Sequence, residues 1–276
     1  MSVQLPGVSE RVFEFAFNSE FCAASGSTLV GCPYIPTQNQ EKRLGYDVSF
    51  KLSTGKSYRS LYLQHKVSRR VDGSSPSNKH FRAAVGSPYF AFSLDVDQYN
   101  LIHRFSQKRS REFYYCAPIF TRRSELDTHF RSAQVVSNSA WIDVSGCASI
   151  PRGDEESHCI VYDPALKGAA RFSQEPQSGL KIQRASVDGM IQSQRTVRFD
   201  AKSLREEYEE FFETIGDWWD EGRRIRRRKS DADTDFRMKR QRPARRKHLN
   251  TPEEAVSAIR ELTSDYLGVT WLVHEA

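Results

Sequence analysis

Long apolar runs and paired cysteines are both missing from this sequence. None of its 276 residues lies in an apolar stretch long enough to cross a bilayer. The first residues, MSVQLPGVSERVF, lack the apolar core of a signal peptide. The five cysteines are odd in number and show no CxxC spacing, which argues against a zinc ribbon and against a disulfide framework. We therefore expect a cytoplasmic protein of a reducing interior that makes no membrane contact.

Charge is plentiful but unevenly distributed. The net charge is +6, yet residues 221–248 alone carry thirteen Lys and Arg against four Asp and Glu, a local charge of +9. The remaining residues therefore sum to −3. Such a basic segment attracts phosphate backbones, although a solvated charged tail would have the same composition. Nucleic acid is thus the expected partner, and a protein partner or a second copy of the chain remains an alternative.

Hydrophobic periodicity predicts a mixed α/β protein. A helix should begin after Ser9 and end before Gly26. Strands at 46–52 and 58–67, joined by the turn STGKS, should form an antiparallel hairpin. Further along the chain we expect a strand at 89–94, a helix at 97–108, a strand at 112–120, a helix at 124–130 capped by Ser124, and strands at 138–144 and 158–163.

The C-terminal part has a different composition. Periodicity is weak over 165–195, and helices are predicted at 201–222 and at 251–268, the second capped by Thr251. We therefore divide the chain into an α/β core, residues 1–164, and a helical extension, residues 165–276, which contains the basic segment 223–248.

One constellation suggests chemistry. Gln64 and Lys66 are two residues apart, so on a strand their side chains would leave the same face, and the hairpin would bring Asp47 opposite them. A carboxylate and an amide oxygen suit Mg²⁺, and a lysine beside them could assist an attacking water or neutralise a phosphorane-like charge. The ordinary alternative is an edge strand on which Asp47 and Lys66 form an ion pair.

The stretches that carry this constellation resemble the PD-(D/E)XK nuclease superfamily. They are SERVFEFAFNSEF, LGYDVSF and LYLQHK, all within residues 9–67, and the helix and strand at 97–120 suit the continuation of that core. Glutamine occupies the second acidic position, as in QxK variants, and Tyr46 stands where the motif has proline. The stretches LGYD, LQxK and YYxAPxF are also similar to uncharacterised bacterial proteins.

The resemblance implies a fold and a site. The fold would be a restriction-endonuclease-like core of helix, antiparallel hairpin, helix and strand. Asp47 and Glu14 would bind Mg²⁺ or Mn²⁺ together with Gln64 and the carbonyl of His65, and Lys66 would be the catalytic lysine. Glu10 and Glu20 compete with Glu14 for its role. Contacts with the nucleic-acid backbone would come from two arginines just after the motif and five in the basic segment, namely Arg69, Arg70, Arg223, Arg224, Arg226, Arg227 and Arg228.

Three functions remain open at this point. The first is a metal-dependent endonuclease that acts on nucleic acid, in first place DNA, with bacterial defence or restriction as one setting. The second is a non-catalytic nucleic-acid-binding or scaffold protein in which Gln64 marks lost chemistry. The third is an unrelated α/β domain whose basic segment binds a protein or RNA.

Overall fold

The structure is a computed structural model that describes the greater part of the chain. The described residues are 2–26, 50–51, 57–73, 75–107, 112–151, 157–173, 176–177, 179–186, 197–198 and 270–275, with separate positions between 202 and 259. Asp47 and the arginines between 223 and 228 lie outside them. The described helices include none long and apolar enough to cross a membrane.

Four α-helices and thirteen strands have defined bounds in the described part of the chain. The helices are α1 (Glu10–Ser25), α2 (Lys79–Val85), α3 (Val96–Ser106) and α4 (Arg123–Arg131). The strands are β1 (Ser2–Gln4), β2 (Phe50–Lys51), β3 (Ser57–His65), β4 (Arg69–Asp72), β5 (Tyr89–Ser93), β6 (Glu112–Pro118), β7 (Ser139–Asp143), β8 (Cys159–Tyr162), β9 (Ala169–Phe172), β10 (Pro176–Gln177), β11 (Lys181–Arg184), β12 (Val197–Arg198) and β13 (Thr270–Glu275). Described positions within 202–217 and 254–259 are helical.

The strands form two sheets, which confirms the mixed α/β class. The antiparallel sheet has the order β1-β4-β5-β8-β9-β10, and every neighbouring pair in it is antiparallel. The mixed sheet has the order β11-β7-β6-β3-β13-β2, with β12 also paired to β3. Within the mixed sheet β3 is parallel to β6, and β13 is parallel to β2.

The predicted hairpin between residues 46–52 and 58–67 is wrong. Strands β2 and β3 lie in the same sheet, but β13 lies between them. Leu272 of β13 pairs with Phe50 on one side and with Leu61 on the other. Because β13 is more than 200 residues distant in the sequence, no local turn signal could have indicated it.

Helix α3 connects two parallel strands. A parallel pair cannot be closed by a tight turn and requires a crossover connection. Here the chain leaves β3, contributes β4 and β5 to the antiparallel sheet, forms α3 and returns as β6. The helix contributes Leu101, Ile102 and Phe105 to the core, with the Phe105 ring 5.5 Å from that of Phe113 on β6.

The main core lies between the two sheets. Side chains alternate along β5, so that Phe90 and Phe92 enter this core while Tyr89 and Ala91 face the other way. The Phe92 ring lies 5.5 Å from Tyr115 of the mixed sheet and 6.3 Å from Tyr162 of the antiparallel sheet. The contact with Tyr115 joins the two sheets, and the contact with Tyr162 lies within the antiparallel sheet.

Each sheet has a helix on its outer face. Helix α1 packs Phe13, Phe17 and Phe21 against the mixed sheet, where Leu63 and Trp141 belong to the same apolar cluster. Helix α2 covers the antiparallel sheet, and the ring of its Phe81 meets that of Phe172 edge-on at 4.5 Å. The mixed sheet is therefore buried on both faces, which matters for any polar residue placed on it.

Strands from the C-terminal part complete both sheets. Strand β9 pairs with β8, β11 pairs with β7, and β13 pairs with β3. Residues 165–195, which show little periodicity, thus hold three short strands. The division of the chain at residue 164 stays a prediction, and strands from both sides of it share the same sheets.

Helix ends agree with the sequence in two places and differ in one. Ser9 caps α1 by accepting from the Val12 amide at 3.4 Å, and Thr251 caps its helix by accepting from the Glu254 amide at 3.2 Å. Ser124 is not a cap, because α4 already begins at Arg123. The Glu125 carboxylate instead reaches back and accepts from the amides of Thr121 and of Arg122, the N-cap residue.

Two buried tyrosines in the main core offer a matched test of these contacts. The Tyr162 hydroxyl contacts the Pro118 carbonyl oxygen at 2.6 Å and Ser68 Oγ at 2.7 Å, whereas the Tyr115 hydroxyl has no hydrogen-bond partner among the described residues. We expect Tyr162→Phe to lower the free energy of unfolding by about 1–3 kcal/mol, because it leaves buried polar groups unsatisfied. Tyr115→Phe should cost clearly less or stabilise the protein. Urea unfolding of both variants measures the difference, and equal losses would contradict the assignment.

Candidate functional site

The predicted motif residues lie at the end of strand β3. The strand ends at His65, but its pairing with β6 continues for one residue, because the Lys66 amide donates to the Cys116 carbonyl oxygen at 2.9 Å. This bond fixes the backbone on which Gln64, His65 and Lys66 are carried. Their side chains contact different parts of the molecule.

The side-chain amide of Gln64 forms hydrogen bonds with neighbouring residues. The side chain is buried, and its Oε1 accepts a hydrogen bond from Nε2 of Gln98 on α3 at 2.9 Å. Its own Nε2 donates to the His65 carbonyl oxygen at 3.2 Å. The two oxygens of β3 that the resemblance offers to a cation, Gln64 Oε1 and the His65 carbonyl, therefore both accept hydrogen bonds within the protein.

The His65 ring lies on the opposite face of the mixed sheet. It meets the rings of Phe13 and Phe17 on α1 edge-on, at centroid distances of 5.8 and 5.3 Å. Adjacent strand residues point to opposite faces, so Gln64 faces α3 and His65 faces α1. The imidazole therefore has a structural position against α1.

Lys66 contacts α1. Its Nζ lies 3.7 Å from Oε1 of Glu10, and the two side chains are 17% and 38% exposed. The expectation that Gln64 and Lys66 work from one face is wrong, since their polar groups meet different helices. Strand β3 ends at His65, so the alternation assumed for residues 64–66 extended one residue past the end of the strand.

Glu14 lies one helical turn beyond Glu10 and is only 1% exposed. Burial raises the pKa of the Cys116 thiol well above its usual value, and the negative charge of Glu14 adds to that rise. Cys116 pairs with His65 across the β3–β6 ladder. The Glu14 carboxylate thus lies close to the same pair of strands as Lys66, although Glu10 is the acid that pairs with the amine.

The third competing acid, Glu20, has a structural role. Its carboxylate accepts from the amides of Val135 at 2.6 Å and Val136 at 3.1 Å. Burial raises the pKa of Glu20, and these two hydrogen bonds oppose the rise. Glu20 therefore connects α1 to the turn before β7, and we no longer consider it a candidate metal ligand.

Sequence reasoning missed Asn18. It follows Glu14 by one turn, is 2% exposed, and neither its Oδ1 nor its Nδ2 has a hydrogen-bond partner among the described residues. The available signal was a polar residue at the i+4 position from Glu14 within the apolar run FEFAFNSEF. We call Glu10, Glu14 and Asn18 the polar stripe of α1.

The two arginines after the motif lie on β4, in the antiparallel sheet. Arg70 Nε is 3.1 Å from Asp72 Oδ1, and both side chains are half-buried. Burial raises the pKa of the Tyr89 hydroxyl, and the positive charge of Arg69 partly opposes that rise. Adjacent on one strand, the two arginines leave opposite faces. The arginines between 223 and 228 lie outside the described residues.

Groups of metal-binding side chains and similarity to known proteins are two further sources of functional information. Within the described part of the chain, from which Asp47 is missing, three His, Cys, Asp or Glu side chains do not come together in a way that could hold a metal ion. Comparisons of the sequence and structure with protein-family models, curated proteins and solved structures find no match. Function must therefore be argued from the site.

Gln64 can be tested directly as a metal ligand. Replacing it with glutamate would add a charge and strengthen Mn²⁺ binding if its oxygen met the ion. Since this oxygen bonds to Gln98, on the α3 side, we expect Gln64→Glu to leave Mn²⁺ affinity unchanged. We also expect it to destabilise the protein, because it buries a carboxylate. That carboxylate's pKa should lie above the unfolded value, so the stability loss should grow as pH rises from about 4.

Calorimetric Mn²⁺ titration and urea unfolding at pH 5 and pH 7 measure both effects. Gln64→Leu is the control, because it removes the same hydrogen bonds without adding a charge, so its stability loss should not depend on pH. Several-fold tighter Mn²⁺ binding by Gln64→Glu would return Gln64 to the metal site.

Proposed function

We propose that this chain is a metal-dependent endonuclease that hydrolyses phosphodiester bonds in nucleic acid, in first place DNA. The reaction would take place between the polar stripe of α1 and the end of β3. Bacterial defence or restriction is a setting that such an activity would suit, and the fold would be a variant of the restriction-endonuclease-like core.

The observation that carries this proposal is the meeting of Lys66 with the acidic part of the polar stripe. A lysine amine lies 3.7 Å from one carboxylate, and a second, fully buried carboxylate follows one turn later. Burying a carboxylate in an apolar cluster is costly. Glu14 is nevertheless buried together with Phe13 and Phe17 of the same helix.

Topology supports the proposal independently. The resemblance requires a helix carrying an acid, a strand carrying the lysine, and then a helix and strand that continue the sheet. Helix α1, β3, α3 and β6 occur in that order, and β3 and β6 are neighbours in parallel. The insertion of β13 beside β3 departs from the expected hairpin.

The donor set fits a hard divalent cation in part. Mg²⁺ and Mn²⁺ prefer oxygen ligands, and Glu14 offers a carboxylate on the side of the sheet that Lys66 reaches. Gln64 does not fit, because its oxygen accepts from Gln98. Asp47, the other expected ligand, lies outside the described residues. A bound cation would activate water and stabilise charge on the phosphate.

Lys66 has a separate contribution in this proposal. Its amine carries positive charge at the end of β3 and is the group that a phosphate oxygen would meet. Its pairing with Glu10 holds the long side chain against α1, so that little further ordering is required when a substrate arrives. Glu10 serves as a positioning residue for the amine.

Nicking of plasmid DNA in the presence of Mn²⁺ tests the activity. We expect cleavage that EDTA abolishes, and a loss of about 10²- to 10⁴-fold in Lys66→Met and in Glu14→Gln, the range typical of positioned acid–base groups. Lys79→Met, which removes an exposed lysine of α2, is the matched control and should cleave like the wild type. Circular dichroism shows whether each variant is folded.

Two results would count against the endonuclease. One is cleavage by Lys66→Met and Glu14→Gln at the wild-type rate, which would point to a contaminating nuclease. The other is binding of DNA and RNA by the wild type without cleavage of either in Mg²⁺ or Mn²⁺.

The second result would favour the non-catalytic alternative, a nucleic-acid-binding protein. The hydrogen bonding of the Gln64 amide within the protein favours it, because a residue of the expected metal site is then committed to packing. The basic segment would provide the affinity in either case, because phosphate contacts do not depend on the chemistry of the site.

Salt dependence tests the basic segment. Replacing Arg223, Arg224, Arg226, Arg227 and Arg228 by Gln should reduce the slope of log affinity against log salt by up to about 4–5 for duplex DNA, if all five contact phosphates. Fluorescence anisotropy at several salt concentrations measures the slope. An unchanged slope would assign these arginines to a protein partner or to a second copy of the chain.

A further inference from the structure

Asn18 is a buried amide without a structural use among the described residues. It is 2% exposed, and both of its polar atoms lack a hydrogen-bond partner in the described part of the chain. A buried polar group without a hydrogen bond destabilises the folded state relative to one that is bonded. The fold therefore retains at this position a side chain that weakens it.

Another buried asparagine shows how the same chain satisfies such a group. Asn100 on α3 is 5% exposed, and its Nδ2 donates to the Ile150 carbonyl oxygen at 2.7 Å while its Oδ1 accepts from the Ile150 amide at 2.8 Å. This amide joins α3 to the segment after β7. Asn18 has the same chemistry and similar burial, yet makes neither type of contact.

The position of Asn18 on α1 relates it to the candidate site. Residues four apart on a helix leave the same face, so Glu10, Glu14 and Asn18 follow one another along one side of α1. The neighbouring buried positions are apolar, namely Phe13, Ala16, Phe17 and Phe21. The amide is thus directed to the same side as the Glu14 carboxylate, and an apolar side chain could replace it without the loss of a hydrogen bond within the described part of the chain.

We propose that Asn18 is a further oxygen ligand of the divalent cation that Glu14 would bind. This inference rests on the proposed function for the cation itself and adds a residue that the motif does not contain. An amide oxygen is a ligand that Mg²⁺ and Mn²⁺ accept, and it brings no additional charge into a buried site. Cation binding would then offset the cost of leaving the amide unsatisfied in the metal-free protein.

Two substitutions with opposite effects test the proposal. Asn18→Leu removes the oxygen and the unsatisfied amide, so Mn²⁺ affinity should fall at least about tenfold. The metal-free protein should melt at the wild-type temperature or above it. Asn18→Asp keeps the oxygen and adds a charge close to Glu14, so Mn²⁺ should bind more tightly and the metal-free melting temperature should fall. Calorimetric titration with Mn²⁺ and scanning calorimetry in EDTA measure these quantities without any assay of cleavage.

Matched controls separate an effect on the ligand from an effect on the fold. Asn100→Ala removes a bonded amide of similar burial, so it should lower the melting temperature and leave Mn²⁺ affinity unchanged. Asn18→Ala replaces Asn18→Leu if the larger side chain prevents folding, and it should weaken Mn²⁺ binding to a similar extent.

Each contrary result has its own meaning. If the wild type binds Mn²⁺ and Asn18→Leu or Asn18→Ala binds it equally well, Asn18 is not a ligand and the proposed function stands. If the wild type does not bind Mn²⁺ at millimolar concentration, the cation and the proposed function fall together with Asn18. If Asn18→Ala destabilises the metal-free protein as much as Asn100→Ala does, the amide has a structural partner and the inference is wrong.

Discussion

The parallel pairing of β3 with β6 is the constraint on which the rest of the structure depends. A parallel pair requires a crossover, and here it consists of two strands of the other sheet followed by α3. The same pairing puts β3 inside the mixed sheet with a helix against each face. Every polar side chain at the end of β3 must therefore find its partner on α1 or on α3. Gln64 pairs with α3, whereas Lys66 pairs with α1.

Two polar side chains near the site have hydrogen-bond partners within the protein. Glu20 accepts two backbone amides, and Gln64 bonds to Gln98. Farther away, Arg171 is 1% exposed, donates to the Ala148 carbonyl and to Gln177, and lies 4.9 Å from the centre of the Tyr99 ring. Asn18 differs from these residues, because neither of its polar atoms has a hydrogen-bond partner among the described residues. A buried polar group without a hydrogen bond calls for an explanation in a native structure. A bound ligand would explain the burial of Asn18.

Local patterns in the sequence predict the elements well and their pairing poorly. The apolar spacing and caps of α1, the apolar stretch of β5 and the apolar face of α3 each depend on side chains within a few residues, and all three elements formed. The place of β13 depends on its contacts with β2 and β3, far away in the sequence, which no window on the chain contains. The predicted arrangement of the site was wrong for a related reason. The alternation of side chains between the two faces of a strand was assumed for residues 64–66, although β3 ends at His65. Lys66 belongs with α1 only once the strand has ended.

Exposure changes along the polar stripe in a way that bears on how the proposed site would work. Glu10 is the most exposed of the three residues, and Glu14 and Asn18 are buried one and two turns farther along. An ion pair between partly exposed side chains contributes about 0–1 kcal/mol, so a phosphate could take the place of Glu10 beside Lys66 at little cost. The Glu14 carboxylate is only 1% exposed, so an incoming phosphate could not take its place in the same way. Under the proposed function the nucleic acid would therefore enter at the Glu10 end, and the cation would remain at the Glu14 end with the protein.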